Sequence, residues 1–135
     1  MTFFQYIALY VLTVPVFFAI DMTWLGLVAK NFYSSQLGAL LGPIQWSAAL
    51  VFYFLYIVGI LVFVVVPALE RGSLQYALVY GALFGFFAYA TYDLTNLATL
   101  KNWPLAITLA DMAWGVVLTS SVSTVSYLIG KFILS

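Results

Sequence analysis

The chain has no cysteine and no histidine. Disulfides, thiol nucleophiles, haem or iron–sulfur ligation and the usual zinc and copper sites are therefore excluded. The candidate metal set is none, and any metal would have to be a hard cation held by oxygens. Charge is almost as scarce. Only 6% of the 135 residues are charged, four basic and four acidic, for a net charge of zero. A soluble domain averages roughly 25% charged residues, so a soluble globular reading fails. With no basic patch, nucleic acid is not a partner.

What fills the chain instead is apolar: 66% of residues are hydrophobic and the mean hydropathy is +1.14. Roughly 20 mostly apolar residues cross a bilayer as a helix. Four stretches qualify, at about 3–29, 46–69, 74–100 and 103–130. The expected fold is an all-α integral membrane bundle of four transmembrane helices in one membrane domain, 1–135, with the lipid bilayer as its constant partner. The first stretch lacks a basic leader and contains an acid, so it reads as a span and not as a cleavable signal peptide. Leu37, Leu40, Leu41 and Ile44 recur at helical spacing between spans 1 and 2, predicting a short interfacial helix at about 32–42. "ERGS" and "TLKNWP" read as tight turns, with Pro104 suited to a first helical position. With the N-terminus inside, Arg71 and Lys131 lie inside and Lys30 and Lys101 outside, so the positive-inside count is balanced.

The three aspartates carry the functional question. Asp21, Asp93 and Asp111 all lie within apolar stretches, in "DMTW", "DLTN" and "DMAW". Asp21 precedes Lys30 by nine residues, Asp93 precedes Lys101 by eight, and Asp111 follows Lys101 by ten. At about 1.5 Å per residue the three carboxyl groups share one depth, roughly 12–15 Å below the same membrane face and near the midplane. A carboxylate facing lipid there would cost roughly 3 kcal/mol, so all three must face inward. No lysine or arginine lies at that depth, and three carboxylates packed together and dry could not all ionise.

Periodicity adds neighbours. Tyr6, Tyr10, Thr13, Phe17, Asp21 and Trp24 form one stripe on span 1. Tyr89, Asp93 and Asn96 share a face of span 3, beside a small-residue stripe of Ala77, Gly81, Gly85 and Ala88. Thr108, Asp111, Gly115, Thr119 and Ser126 form a stripe on span 4. Span 2 has no acid and reads as the lipid-facing wall. The candidate ligand- or proton-binding residues are Asp21, Asp93, Asp111, Asn96, Trp24, Trp114 and Tyr89. Asp-x-x-Trp puts acid and indole on one helix face, where the indole could donate to a carboxylate or wall a pocket.

"DMTWLGLVAKNF" and "DLTNLATLKNW" also match each other after one gap, at an offset of 72 residues. The match predicts two tandem helical hairpins related by an axis along the membrane normal.

Three functions fit these features. One is binding, and translocation, of a small ligand or cation coupled to protonation. The second is an intramembrane aspartate-dependent enzyme acting on a lipid or lipid-soluble substrate. The third is a non-catalytic subunit of a membrane complex. No catalytic residue and no cofactor is specified, and both a homo-oligomer and a larger complex remain open.

"AIDMTWLGLVAKNFYSSQLGALL", "ALERGS" and "YDLTNLATLKNWPLAITLADMAWG" together resemble an uncharacterised bacterial four-span membrane family, domain of unknown function 2177. The resemblance implies a multi-pass protein of the bacterial inner membrane. It brings no established activity with it.

Overall fold

The computed structural model describes all residues from Met1 to Ser135, and every regular element is helical. Four helices are long and apolar enough to cross a membrane: Phe3–Val28 (span 1), Trp46–Arg71 (span 2), Leu74–Thr99 (span 3) and Leu105–Leu134 (span 4). Their ends follow local chemistry. Thr2 and Gln5 close span 1 with a reciprocal capping box. Gly72 ends span 2 at φ 62°, the left-handed conformation a helix C-terminus favours. Ser73 then caps span 3 by accepting from the Tyr76 N–H. Asn102 takes φ 63° in the turn before span 4. Pro104 lies one position outside the helix as an extended N-cap, so the first helical residue is Leu105. The connecting helix covers Lys30–Leu37 and breaks at Gly38, where φ is 48°. Leu40, Leu41 and Ile44 are exposed beyond it.

Spans 3 and 4 make the closest pair. Gly81 faces Ser120 and Ser123, where an added Cβ would lie 2.8 Å from the Ser123 Oγ. Gly85 sits against the Gly115 carbonyl and the Thr119 side chain, with no space for a Cβ. The small-residue stripe of span 3 thus packs on the small and hydroxylated stripe of span 4. Span 1 joins the same seam, where Thr13 Oγ1 and Ser126 Oγ share a hydrogen bond of 2.7 Å. The buried line of span 1 runs Leu9, Thr13, Phe17, Asp21. Tyr6, placed on that stripe by spacing, is exposed.

Span 2 is not simply a lipid-facing wall. Tyr56, Ile57, Ile60, Leu61 and Val65 are buried in the main core with Leu9, Phe17, Leu118 and Val122. The Tyr56 hydroxyl shares a 2.8 Å hydrogen bond with Thr119 Oγ1. The opposite side of span 2, including Val51, Leu55, Val62 and Phe63, is exposed. An unbroken apolar run satisfies both environments, so its composition could not say which face turns inward. Spans 2 and 3 touch in the half nearest the Gly72 turn and diverge towards Trp46 and Thr99. That divergence leaves a wedge between them.

Helix ends set the depth of the aspartates. Spans 1 to 3 are 26 residues each, about 39 Å long at 1.5 Å per residue. Asp21 lies seven residues from the end of span 1, Asp93 six from the end of span 3, and Asp111 six from the start of span 4. Each is therefore about 9–10 Å from the same end of the bundle. A 26-residue helix centred on a hydrocarbon layer of roughly 30 Å puts Asp21 and Asp93 about 5 Å inside that layer. The shared level agrees with the sequence spacing, but it lies nearer the helix ends than their middles, because the helices end before the lysines used as markers.

The close approach of spans 3 and 4 generates a test. Gly85→Ala should destabilise the detergent-purified protein by about 1–3 kcal/mol, since the methyl meets backbone that cannot move aside cheaply. Gly26→Ala, where an added Cβ meets nothing within 4 Å, should change stability by less than about 0.5 kcal/mol. Thermal unfolding of the two variants beside the parent checks both.

Candidate functional site

The three aspartates converge at one end of the bundle. Asp93 is fully buried and Asp21 is 3% exposed, while Asp111 is half-buried. Asp21 accepts a hydrogen bond from the Trp114 indole N–H at 3.0 Å, and the Tyr53 phenol of span 2 lies beside it. Asp111 accepts from the Tyr33 hydroxyl at 2.8 Å. Asp93 lies against the Asp111 carboxyl. Neither Asp93 oxygen has a hydrogen-bond partner.

The two indoles tie these acids together. Trp24 and Trp114 stack with centroids 4.6 Å apart and planes at 8°. Trp114 donates to Asp21, and Trp24 donates to the Tyr33 oxygen at 3.3 Å. Asp-x-x-Trp puts each indole on the helix face of its own acid. The arrangement is crossed: the span 4 indole serves the span 1 carboxylate, and the span 1 indole reaches the span 4 carboxylate through Tyr33. A π-helical turn over Trp24–Val28, closed by the Ala29 N–H on the Trp24 carbonyl at 2.8 Å, follows directly. Such turns add a residue to the helix and re-aim the side chains next to them. Here the turn leads into the connecting helix that carries Tyr33.

Tyr33 is the residue that spacing analysis missed. It lies on the connecting helix, twelve positions from Asp21, so no helical period links the two. Burial pushes its phenol up from the ordinary value, and the nearby Asp111 and Asp93 charges act in the same direction. Tyr33 therefore stays a neutral donor at physiological pH.

A cavity of about 390 Å³ opens beside Asp21 and Asp111. Span 2 supplies Ala49, Phe52 and Tyr53 to its wall, span 3 supplies Ala88, Tyr89 and Tyr92, and Trp114 closes the back. No lysine or arginine lines it. Tyr89 is held by its contact with Gly115, where a side chain would collide with the ring. Asn96 is half-buried next to the Tyr92 phenol, outside the cavity wall. Asp93 is also not on the wall and lies behind Asp111. Tyr53 could have been found by sequence, since it and Tyr56 are the main polar residues of span 2.

Tyr33→Phe removes one hydroxyl and little volume. It should cost about 0.5–1.5 kcal/mol and loosen Lys30–Leu37 from the bundle. Hydrogen exchange of that segment should speed up relative to spans 3 and 4. Unchanged exchange would mean that Tyr33 does not anchor the connecting helix.

No curated protein and no solved structure matches the chain. The profile of one family, described as predicted membrane protein (DUF2177), matches residues 6–128. The chain belongs to that family.

Proposed function

We infer that the aspartate-lined cavity binds a small ligand and that binding is coupled to protonation of the carboxyl cluster. The observation that carries this reading is the cavity of about 390 Å³ with two carboxyl groups on its wall and a third behind them. Its volume lies at the small end of the roughly 300–1,000 Å³ typical of ligand pockets. Asp93 and Asp111 lie carboxyl to carboxyl in a region without a basic side chain. Two carboxylates in contact repel, whereas one shared proton turns the contact into a hydrogen bond. The pair thus holds a proton that a ligand on the Asp111 side can displace. The protein acts as a multi-pass binding protein of the bacterial inner membrane. Translocation would follow if the site also opened to the opposite face.

The same carboxyl pair resembles the proton-sharing dyad of an aspartate-dependent enzyme, the second reading. Burial of Asp93 weighs against it. A catalytic pair must reach substrate, and only Asp111 of this pair touches the cavity.

The titratable groups facing the cluster are Asp21, Asp93, Asp111, Tyr33, Tyr53, Tyr89 and Tyr92. A pair that shares one proton when folded and holds none when unfolded loses stability as pH rises. The limiting slope is about 1.4 kcal/mol per pH unit for one proton. The melting temperature of the purified protein should decline between pH 5 and 8. Asp93→Asn keeps the shape and can donate to Asp111 without titrating, so its melting temperature should decline less than the parent's. Two flat curves would remove the proton-coupled reading.

A further inference from the structure

The cavity has a chemistry more specific than a small-ligand site. Its walls carry five aromatic side chains, Phe52, Tyr53, Tyr89, Tyr92 and Trp114, and its only charged groups are the two acids. Aromatic faces are negative at their centres, and they attract a cation without forming a directed bond. Carboxylates add a charge that nothing else at the site neutralises. An anionic or phosphate-bearing ligand finds no cationic partner here, because no lysine or arginine reaches the wall, and it would sit against two acids. A metal ion is not matched either, since the acidic side chains form no group arranged to hold one. What fits is a positive charge spread over a carbon-rich body.

The way in is equally defined. Phe52 is 47%, Tyr92 57% and Leu25 37% exposed, although all three line the cavity. Phe52 and Tyr92 form a rim at the wedge where spans 2 and 3 diverge, about 5 Å inside the hydrocarbon layer, with Leu25 of span 1 at its boundary. That rim faces lipid tails near their polar boundary, the level at which an amphipathic cation rests in a bilayer.

We propose that the cavity binds a lipophilic organic ammonium ion, which enters sideways from the bilayer between spans 2 and 3 and lodges its charge between Asp21, Asp111 and the aromatic walls. Because the site has no partner for a phosphate, the ligand is a free amine or quaternary ammonium and not a phospholipid headgroup. The proposal rests on the protonation-coupled reading in one respect only. Arrival of a fixed positive charge favours release of the proton shared by Asp93 and Asp111, and that proton passes to water. No covalent bond is made or broken.

Benzyltrimethylammonium and neopentylbenzene differ only in a charged nitrogen replacing a carbon, so they separate charge recognition from apolar burial. Titration calorimetry of the protein in dodecylmaltoside, run in two buffers of different ionisation enthalpy, reads affinity and proton release together. Benzyltrimethylammonium should bind saturably and release protons, tightening by up to about tenfold per pH unit as pH rises. Neopentylbenzene should bind at least about tenfold more weakly. Asp21→Asn and Tyr92→Leu should each weaken the ammonium by about tenfold. Tyr92 stands at the exposed rim, so its variant remains informative if the Asp21 variant fails to fold. Equal affinity for the neutral probe overturns the proposal. So does saturable binding of added phosphatidylethanolamine without binding of the ammonium probe. If the ammonium binds and no protons are released, the ligand class stands and the proton-coupled reading fails. If the melting curves titrate as expected and the ammonium does not bind, the ligand class fails alone.

Discussion

The close approach of spans 3 and 4 at Gly85 and Gly115 is the constraint from which the site follows. With no side chain between the backbones, the two helices run together along the Gly81 and Ser123 seam. That places Asp93 and Asp111 side by side. It also leaves the space above Gly115 to be filled by the Tyr89 ring, which becomes a cavity wall. In a bilayer, apolar surface gives helices little reason to associate. Close van der Waals contact between small residues supplies much of what holds them. Here the same contact that joins the helices also forces two acids into one another's reach, so stability and site geometry have a common origin.

The polar network around the acids depends on elements far apart in sequence. Trp114 donates to Asp21 across 93 positions, and Tyr33 donates to Asp111 across 78. The stacked indoles hold the two halves in register: displacing either ring would disturb the donor to one acid and the acceptor side of the other. Each hydrogen bond contributes about 1 kcal/mol net, but a buried acid deprived of its donor loses considerably more. The network is therefore better understood as a device that fixes the acids in place than as a large source of stability.

Much of the architecture was legible in the sequence. Four apolar runs of bilayer length permit few folds other than a helical bundle. The expense of a lipid-facing carboxylate turns the aspartates inward, and a small-residue stripe identifies the tight face of span 3. Tyr33 was not legible, because its position depends on the connecting helix folding back onto the bundle, and no periodicity records that. The crossing of the indoles depends on the π-helical turn after Thr23, which no residue in "WLGLV" signals. The inner face of span 2 was hidden for a different reason. Phe52, Tyr53 and Tyr56 are amphipathic enough to suit lipid, core or pocket, and only packing against Phe17, Phe84 and Tyr89 decides among them.

The shallow depth of the acids gives the site its chemical range. At the midplane, three carboxyl groups would be confined to their neutral forms unless a permanent counter-ion were built in. Nearer the helix ends, with Asp111 half-buried and the cavity open at its rim, the proposed ligand would bring the charge that matches an ionised acid from outside the protein. Asp93, fully buried and without any other donor, cannot be matched in that way and has only Asp111 to share a proton with. The two members of the pair are thus unequal. One faces the cavity and the other is held behind it, so under the proposed function a change in what touches Asp111 alters what it shares with Asp93.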